Sequence, residues 1–320
     1  MFKKERKLKR VMPVLIAVIM LVSLMAPAVY AYEKIDMNKP TSLTVKFTDG
    51  PAVPGMEFRA YRIASVDENA NFTFTDEVAA YGVAMPEDQT GYRSLAETLS
   101  GYFSRDGVKP VAVKETDENG LADFGELEKG LYLVLADRYK SPADDMTYTA
   151  LPSLVSLPNL TDGNTWTYDV TITPKYTSVP PVPDTPGTID INVIKVWSGE
   201  ANKNKRPTEV IAELICDGQV ADAVTLNSEN NWRHTWKELD PNKTYNVTEK
   251  VVPQGYTVTI VREGNTFTMN NYSGEVPPVT PPSTPRLPNT GQLWWPVPIL
   301  AVGGLAFIIA GSMRKRAAEA

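Results

Sequence analysis

A chain of 320 residues with 32 Lys+Arg against 38 Asp+Glu carries a net charge of −6, which argues against nucleic acid or an anionic surface as a partner. Its one cysteine, Cys216, permits no intramolecular disulfide, and its one histidine, His234, permits no Cys/His metal cluster. There is no Gly-rich phosphate loop, HExxH or EF-hand pattern, so no cofactor and no metal are expected.

Residues 1–31 read as a secretory signal peptide. Lys3, Lys4, Arg6, Lys7, Lys9 and Arg10 make a basic start, an apolar run extends from Val11 to about Met25, and Val29-Tyr30-Ala31 offers small residues to a signal peptidase. The block from 41 to 177 is long enough for one sandwich domain. SLTVKF, GMEFRAYRIA, GLYLVLAD, SLVSL and TYDVTIT are strand-like runs bounded by Pro, Gly, Asn and Asp. One helix interrupts them, because Leu95, Leu99, Tyr102 and Phe103 fall at helical spacing.

SVPPVPDTPG (178–187) reads as a proline-rich linker of polyproline II character. The second block, 188–273, contains TIDINVIKVW, TEVIAELICD, NWRHTW, YNVTEKV, YTVTIV and NTFTMNNY, strands that recur every ten residues or so. The expected fold class is all-β, two immunoglobulin-like sandwiches in tandem. GEVPPVTPPSTPR (274–286) follows as a stalk of roughly 40 Å at polyproline II rise.

Residues 287–320 hold Leu287-Pro288-Asn289-Thr290-Gly291, an apolar stretch to Met313 long enough to span a bilayer, and the basic trio Arg314, Lys315 and Arg316. This order resembles the LPxTG sorting signal of Gram-positive cell-wall proteins. The resemblance implies cleavage between Thr290 and Gly291 by a sortase, a thioester on Thr290, and its capture by an amine. The acceptor would be a peptidoglycan cross-bridge or another pilin subunit, and the location secreted and covalently anchored to the wall. With both ends removed (net +5 from six basic and one acidic residue, net +2 from three basic and one acidic), the part from Tyr32 to Thr290 carries −13.

Side-chain parity along the second block raises a chemical question. Successive residues of a strand face opposite ways. Ile189, Ile191, Val193, Lys195 and Trp197 therefore share one face; so do Tyr245, Val247, Glu249 and Val251, and so do Phe267, Met269 and Asn271. A lysine, a glutamate and an asparagine thus sit on the apolar rows of three strands. Buried charges of this kind must be paired or neutralised.

These residues resemble the Cna B-type domain of Gram-positive adhesins and pilins. The matching pieces are Lys195-Val196-Trp197, Arg206-Pro207, Asn231-Trp232, the E-box-like Tyr245-Asn246-Val247-Thr248-Glu249 with Pro253, Gly255 and Tyr256, and the closing Phe267-Thr268-Met269-Asn270-Asn271. The resemblance implies a spontaneous isopeptide bond from Lys195 to Asn271, assisted by Glu249. Asn270 is the alternative acceptor, although its parity points outward. Burial lowers a lysine pKa and raises a carboxyl pKa, so Lys195 would attack as a free amine while Glu249 polarises the carboxamide. The first block lacks such a trio, since Lys46 falls on the polar face of Leu43, Val45 and Phe47.

The first block ends in Trp166, Val170, Ile172, Thr173, Pro174 and Lys175, which resembles the backbone-pilin motif WxxxVxVYPK with Ile172 for valine and Thr173 for tyrosine. The resemblance implies that Lys175 is the amine that captures the next subunit's Thr290. His234, between Trp232 and Trp236, reads as packing, and Cys216, in the row of Val210, Ala212 and Leu214, as a small buried hydrophobe. The chain is therefore expected to be a wall-anchored pilin-type subunit and not an enzyme. The alternative is a monomeric adhesin with a host or matrix ligand whose identity the sequence leaves open.

Overall fold

The computed structural model describes residues 34–47, 50–161, 165–180, 187–199, 201 and 203–274, all within one compact unit, Tyr32–Val279. The signal peptide, the stalk beyond Gly274 and the sorting signal, with Leu287 to Gly291, lie outside the described residues. Among the described residues no helix is long and apolar enough to cross a membrane.

In the first block the strands are β1 (Thr41–Lys46), β2 (Glu57–Val66), β3 (Phe72–Phe74), β4 (Ala112–Glu115), β5 (Leu121–Leu127), β6 (Gly130–Ala136) and β7 (Tyr139–Lys140). They continue with β8 (Thr147–Ala150), β9 (Ser153–Leu157), β10 (Asn159–Leu160), β11 (Trp166–Thr167), β12 (Asp169–Ile172) and β13 (Tyr176–Val179). A sheet ordered β12-β1-β5 faces a larger one ordered β3-β2-β6-β9, with β4 also paired to β2. Strict alternation in β1 turns Leu43 and Val45 onto Phe58, Tyr132 and Val155, where they are wholly buried. Lys46 is exposed, as its parity requires. Strand β13 pairs with β8 through Val179, so the sheet takes up the first two residues of the proline-rich passage.

The second block comprises β14 (Ile189–Ser198), β15 (Glu209–Cys216), β16 (Gln219–Asn227), β17 (Arg233–Leu239), β18 (Tyr245–Glu249), β19 (Thr257–Glu263) and β20 (Thr266–Tyr272). Four of these form a sheet ordered β17-β14-β20-β19, and three form the facing sheet β16-β15-β18. First and last strands run parallel side by side, with Lys195 opposite Met269 and Trp197 opposite Asn271.

A helix over Gln89–Asp106 links the blocks. Asp88 caps it by accepting the Gly91 N–H at 2.7 Å, and Gly107 ends it in the left-handed region at φ 62°. Leu95, Ala96, Leu99 and Phe103 pack on Tyr61, Ile63, Leu131 and Leu133 of the first block. A second stripe, Thr98, Gly101, Tyr102 and Arg105, falls at i, i+3, i+4, i+7 on another side. Tyr102 enters the second block's core. The backbone also crosses the junction, where the Val258 N–H donates to the Gly82 carbonyl at 2.9 Å.

Candidate functional site

Three strands each deliver one polar side chain to the same point in the second core. Lys195 comes from β14 and Asn271 from the adjacent β20, while Glu249 reaches across from β18 in the opposite sheet. Lys195 is 4% exposed, and Glu249 and Asn271 are 0% exposed. The core of the same block includes Val193, Ala212, Leu214, Val247, Val258 and Met269.

The Lys195 Nζ lies 3.5 Å from Glu249 Oε2 and 3.4 Å from the Met269 carbonyl oxygen. The Asn271 amide Nδ2 donates to Glu249 Oε1 at 3.0 Å. Asn271 Oδ1 and Glu249 Oε2 are buried without a hydrogen-bond partner. Glu249 thus bridges an amine and a carboxamide. Asn270, one residue earlier, faces away and accepts from the Ser198 hydroxyl at 2.9 Å.

Burial shifts both ionisable groups toward their neutral forms. Burial lowers the Lys195 pKa to about 8 against the opposing pull of the Glu249 carboxylate, and the Arg206 charge adds slightly to the lowering. Burial raises the Glu249 pKa, against Lys195 and the Asn271 hydrogen bond. Moving one proton from ammonium to carboxylate leaves an uncharged amine beside an uncharged acid, with no buried charge to stabilise. The indole of Trp197 closes one side, with Lys195 Nζ 4.6 Å and Arg206 Cζ 5.2 Å from its ring centre. Trp232 and Tyr256 meet that indole edge-on at 5.5 and 5.1 Å.

Lys175 is exposed at the connection between β12 and β13, and Pro174 beside it is buried. Among the described residues no group of His, Cys, Asp or Glu could hold a metal ion. His234 stacks edge-on with Trp236 at 5.0 Å.

Several details depart from strand parity. Val251 is 72% exposed, because β18 ends at Glu249 and the chain turns away. Cys216 is only half-buried, because a register shift between Leu214 and Ile215 breaks the row. On the other face of β18 Thr248 is 0% exposed, covered by the long helix at Gly101. That cover comes from the first block, and no period within the second block signals it.

A Gram-positive pilin subunit D1, N-terminal domain model matches residues 39–177, and a Cna protein B-type domain model matches residues 191–272. A collagen adhesin of Staphylococcus aureus is 32% identical over 185 residues, 54% of this chain and 15% of that protein, so the chain spans only a small part of that relative's length. Among solved structures, the full-length major pilin SpaD of Corynebacterium diphtheriae is 18% identical, with 75% of this chain and 66% of that one covered at a TM-score of 0.31. Two B repeat units of the collagen-binding protein of Staphylococcus aureus are 22% identical, with 74% and 50% covered at a TM-score of 0.26.

Proposed function

This chain belongs to the pilin-like Cna B-type proteins of Gram-positive bacteria, and on that footing we propose that it is a pilin-type structural subunit, stiffened by an internal amide. Lys195 Nζ attacks Asn271 Cγ, the bond from Cγ to the amide nitrogen breaks, and ammonia leaves with the proton shed by the amine. Glu249 acts as the acid that polarises the carboxamide and hands the proton on. The observation that carries this reading is the enclosure of Lys195, Glu249 and Asn271 in one dry cluster, with a carboxyl touching both partners.

Assembly is the second half of the proposal. A sortase cleaves after Thr290, and the acyl group passes to Lys175 of another subunit or to a peptidoglycan cross-bridge. The exposure of Lys175 supports the first acceptor. Wall extracts probed with antibody test it: a pilin yields a ladder of covalent high-mass species that disappears in Lys175→Ala. A single band in the wild type would instead favour a monomeric wall-anchored adhesin, the reading that the 32% likeness to a collagen adhesin supports.

A further inference from the structure

Tyr102 belongs to the first block by sequence and to the second by packing. It is 2% exposed, and its hydroxyl donates to the backbone carbonyl of Glu249 at 3.2 Å. Arg105, one turn on, brings Nη1 to within 3.4 Å of the same carbonyl and 3.4 Å of Glu213 Oε2. Both donors act at the last residue of β18, after which the chain leaves the sheet. Glycine at residue 101 lets the helix come this close without displacing its neighbour. A Cβ there would stand 3.1 Å from Thr248 Cγ2 and 3.4 Å from the Val247 carbonyl oxygen.

Glu249 must keep one carboxyl oxygen near the amine and the other on the carboxamide. Its backbone sits at a strand end, where the ladder holds it from one side only, at Ala212. The helix supplies the missing support. We propose that Tyr102 is a positioning residue for amide formation between Lys195 and Asn271, so that the second block closes its clamp at full rate only after the helix of the first block has docked. The inference rests on the clamp reading above. It makes the junction a checkpoint: the irreversible step waits for the neighbouring block.

The test uses the full chain, recovered unfolded from inclusion bodies and refolded by dilution, with bond formation followed as the loss of one ammonia by intact mass. Tyr102→Phe keeps the ring and removes only the donor, so bond formation should slow about five- to tenfold, the size of one lost hydrogen bond. Gly101→Leu, which wedges the helix away from Thr248, should slow it further. A role confined to fold stability would slow bonding only in proportion to the unfolded fraction, which chemical denaturation of the same variants in a Glu249→Ala background measures. In Tyr102→Phe the alkaline limb of the rate profile should also move to lower pH, because a displaced Glu249 carboxylate supports the Lys195 ammonium less. Wild-type rates and an unmoved limb in Tyr102→Phe would overturn this inference and leave the clamp standing. A wild-type chain that keeps its full mass would overturn both.

Discussion

Lys195 and Glu249 face each other across the two sheets of the second block, Nζ to Oε2 3.5 Å, and neither side chain reaches water. Asn271 completes the contact at 3.0 Å. If the amide forms, the folded chain weighs one ammonia less than its composition. Lys195→Ala, Glu249→Ala and Asn271→Ala should each restore the full mass, whereas Asn270→Ala should not. Intact-mass spectrometry reads this directly, and a full-mass wild type would refute the bond.

Removing one partner also leaves the others stranded. Lys195→Ala truncates a buried side chain and leaves the Glu249 carboxyl without a polar neighbour on that side, a loss of about 1–3 kcal/mol for a buried polar group left unsatisfied. Loss of the crosslink adds to that, and together they should lower the melting temperature on the order of 10–20 °C. Replacing both polar side chains with apolar groups of similar size, Lys195→Met with Glu249→Leu, should recover the unsatisfied-group part of the loss but not the crosslink. Calorimetry of the three forms distinguishes this order from simple additivity.

The rate of bond formation should pass through a maximum with pH. The competent arrangement is a free amine beside a protonated carboxyl, so the pair must hold one proton. Burial holds Glu249 above the ordinary carboxylate range, and in acid the pair holds a second proton, which keeps Lys195 charged. Burial brings Lys195 down to about 8, and above that the last proton departs and Glu249 ceases to be an acid. Refolding at a series of pH values with mass readout should therefore show a fall above about pH 8. A rate that keeps climbing into strong alkali would mean that Glu249 supplies no proton.

Thr98 makes the junction sensitive to a single hydroxyl. Its Oγ1 accepts the Ile260 N–H at 2.8 Å and donates to the Ser94 carbonyl at 2.7 Å, inside a buried seam. Thr98→Val keeps the shape and leaves that N–H without a partner, which should cost about 1–3 kcal/mol. Urea unfolding checks the magnitude. Thr98→Ser, which keeps the hydroxyl, should lose less.

Much of the site can be read from strand parity, because period-2 alternation is a local property of each strand. Lys195, Glu249 and Asn271 share rows with Val193, Val247 and Met269, and those rows face inward. What escapes is whatever another part of the chain supplies. Thr248 and Tyr102 are buried by each other's blocks, and the helix packs on two sides where local spacing suggests one. Cys216 and Val251 depart from their rows because a register shift and a strand end interrupt the period. Sequence periodicity describes a face but cannot say which neighbour arrives to cover it.

The parallel pairing of β14 with β20 fixes how the second block would carry tension. A pull entering at Ile189 and leaving at Tyr272 drags the two strands past one another lengthwise, so the rungs between them resist together instead of peeling apart singly. Joined at Lys195 and Asn271, the strands would pass that pull straight across. Residues 196–270 would then hang as an unstressed loop, folded but bearing nothing.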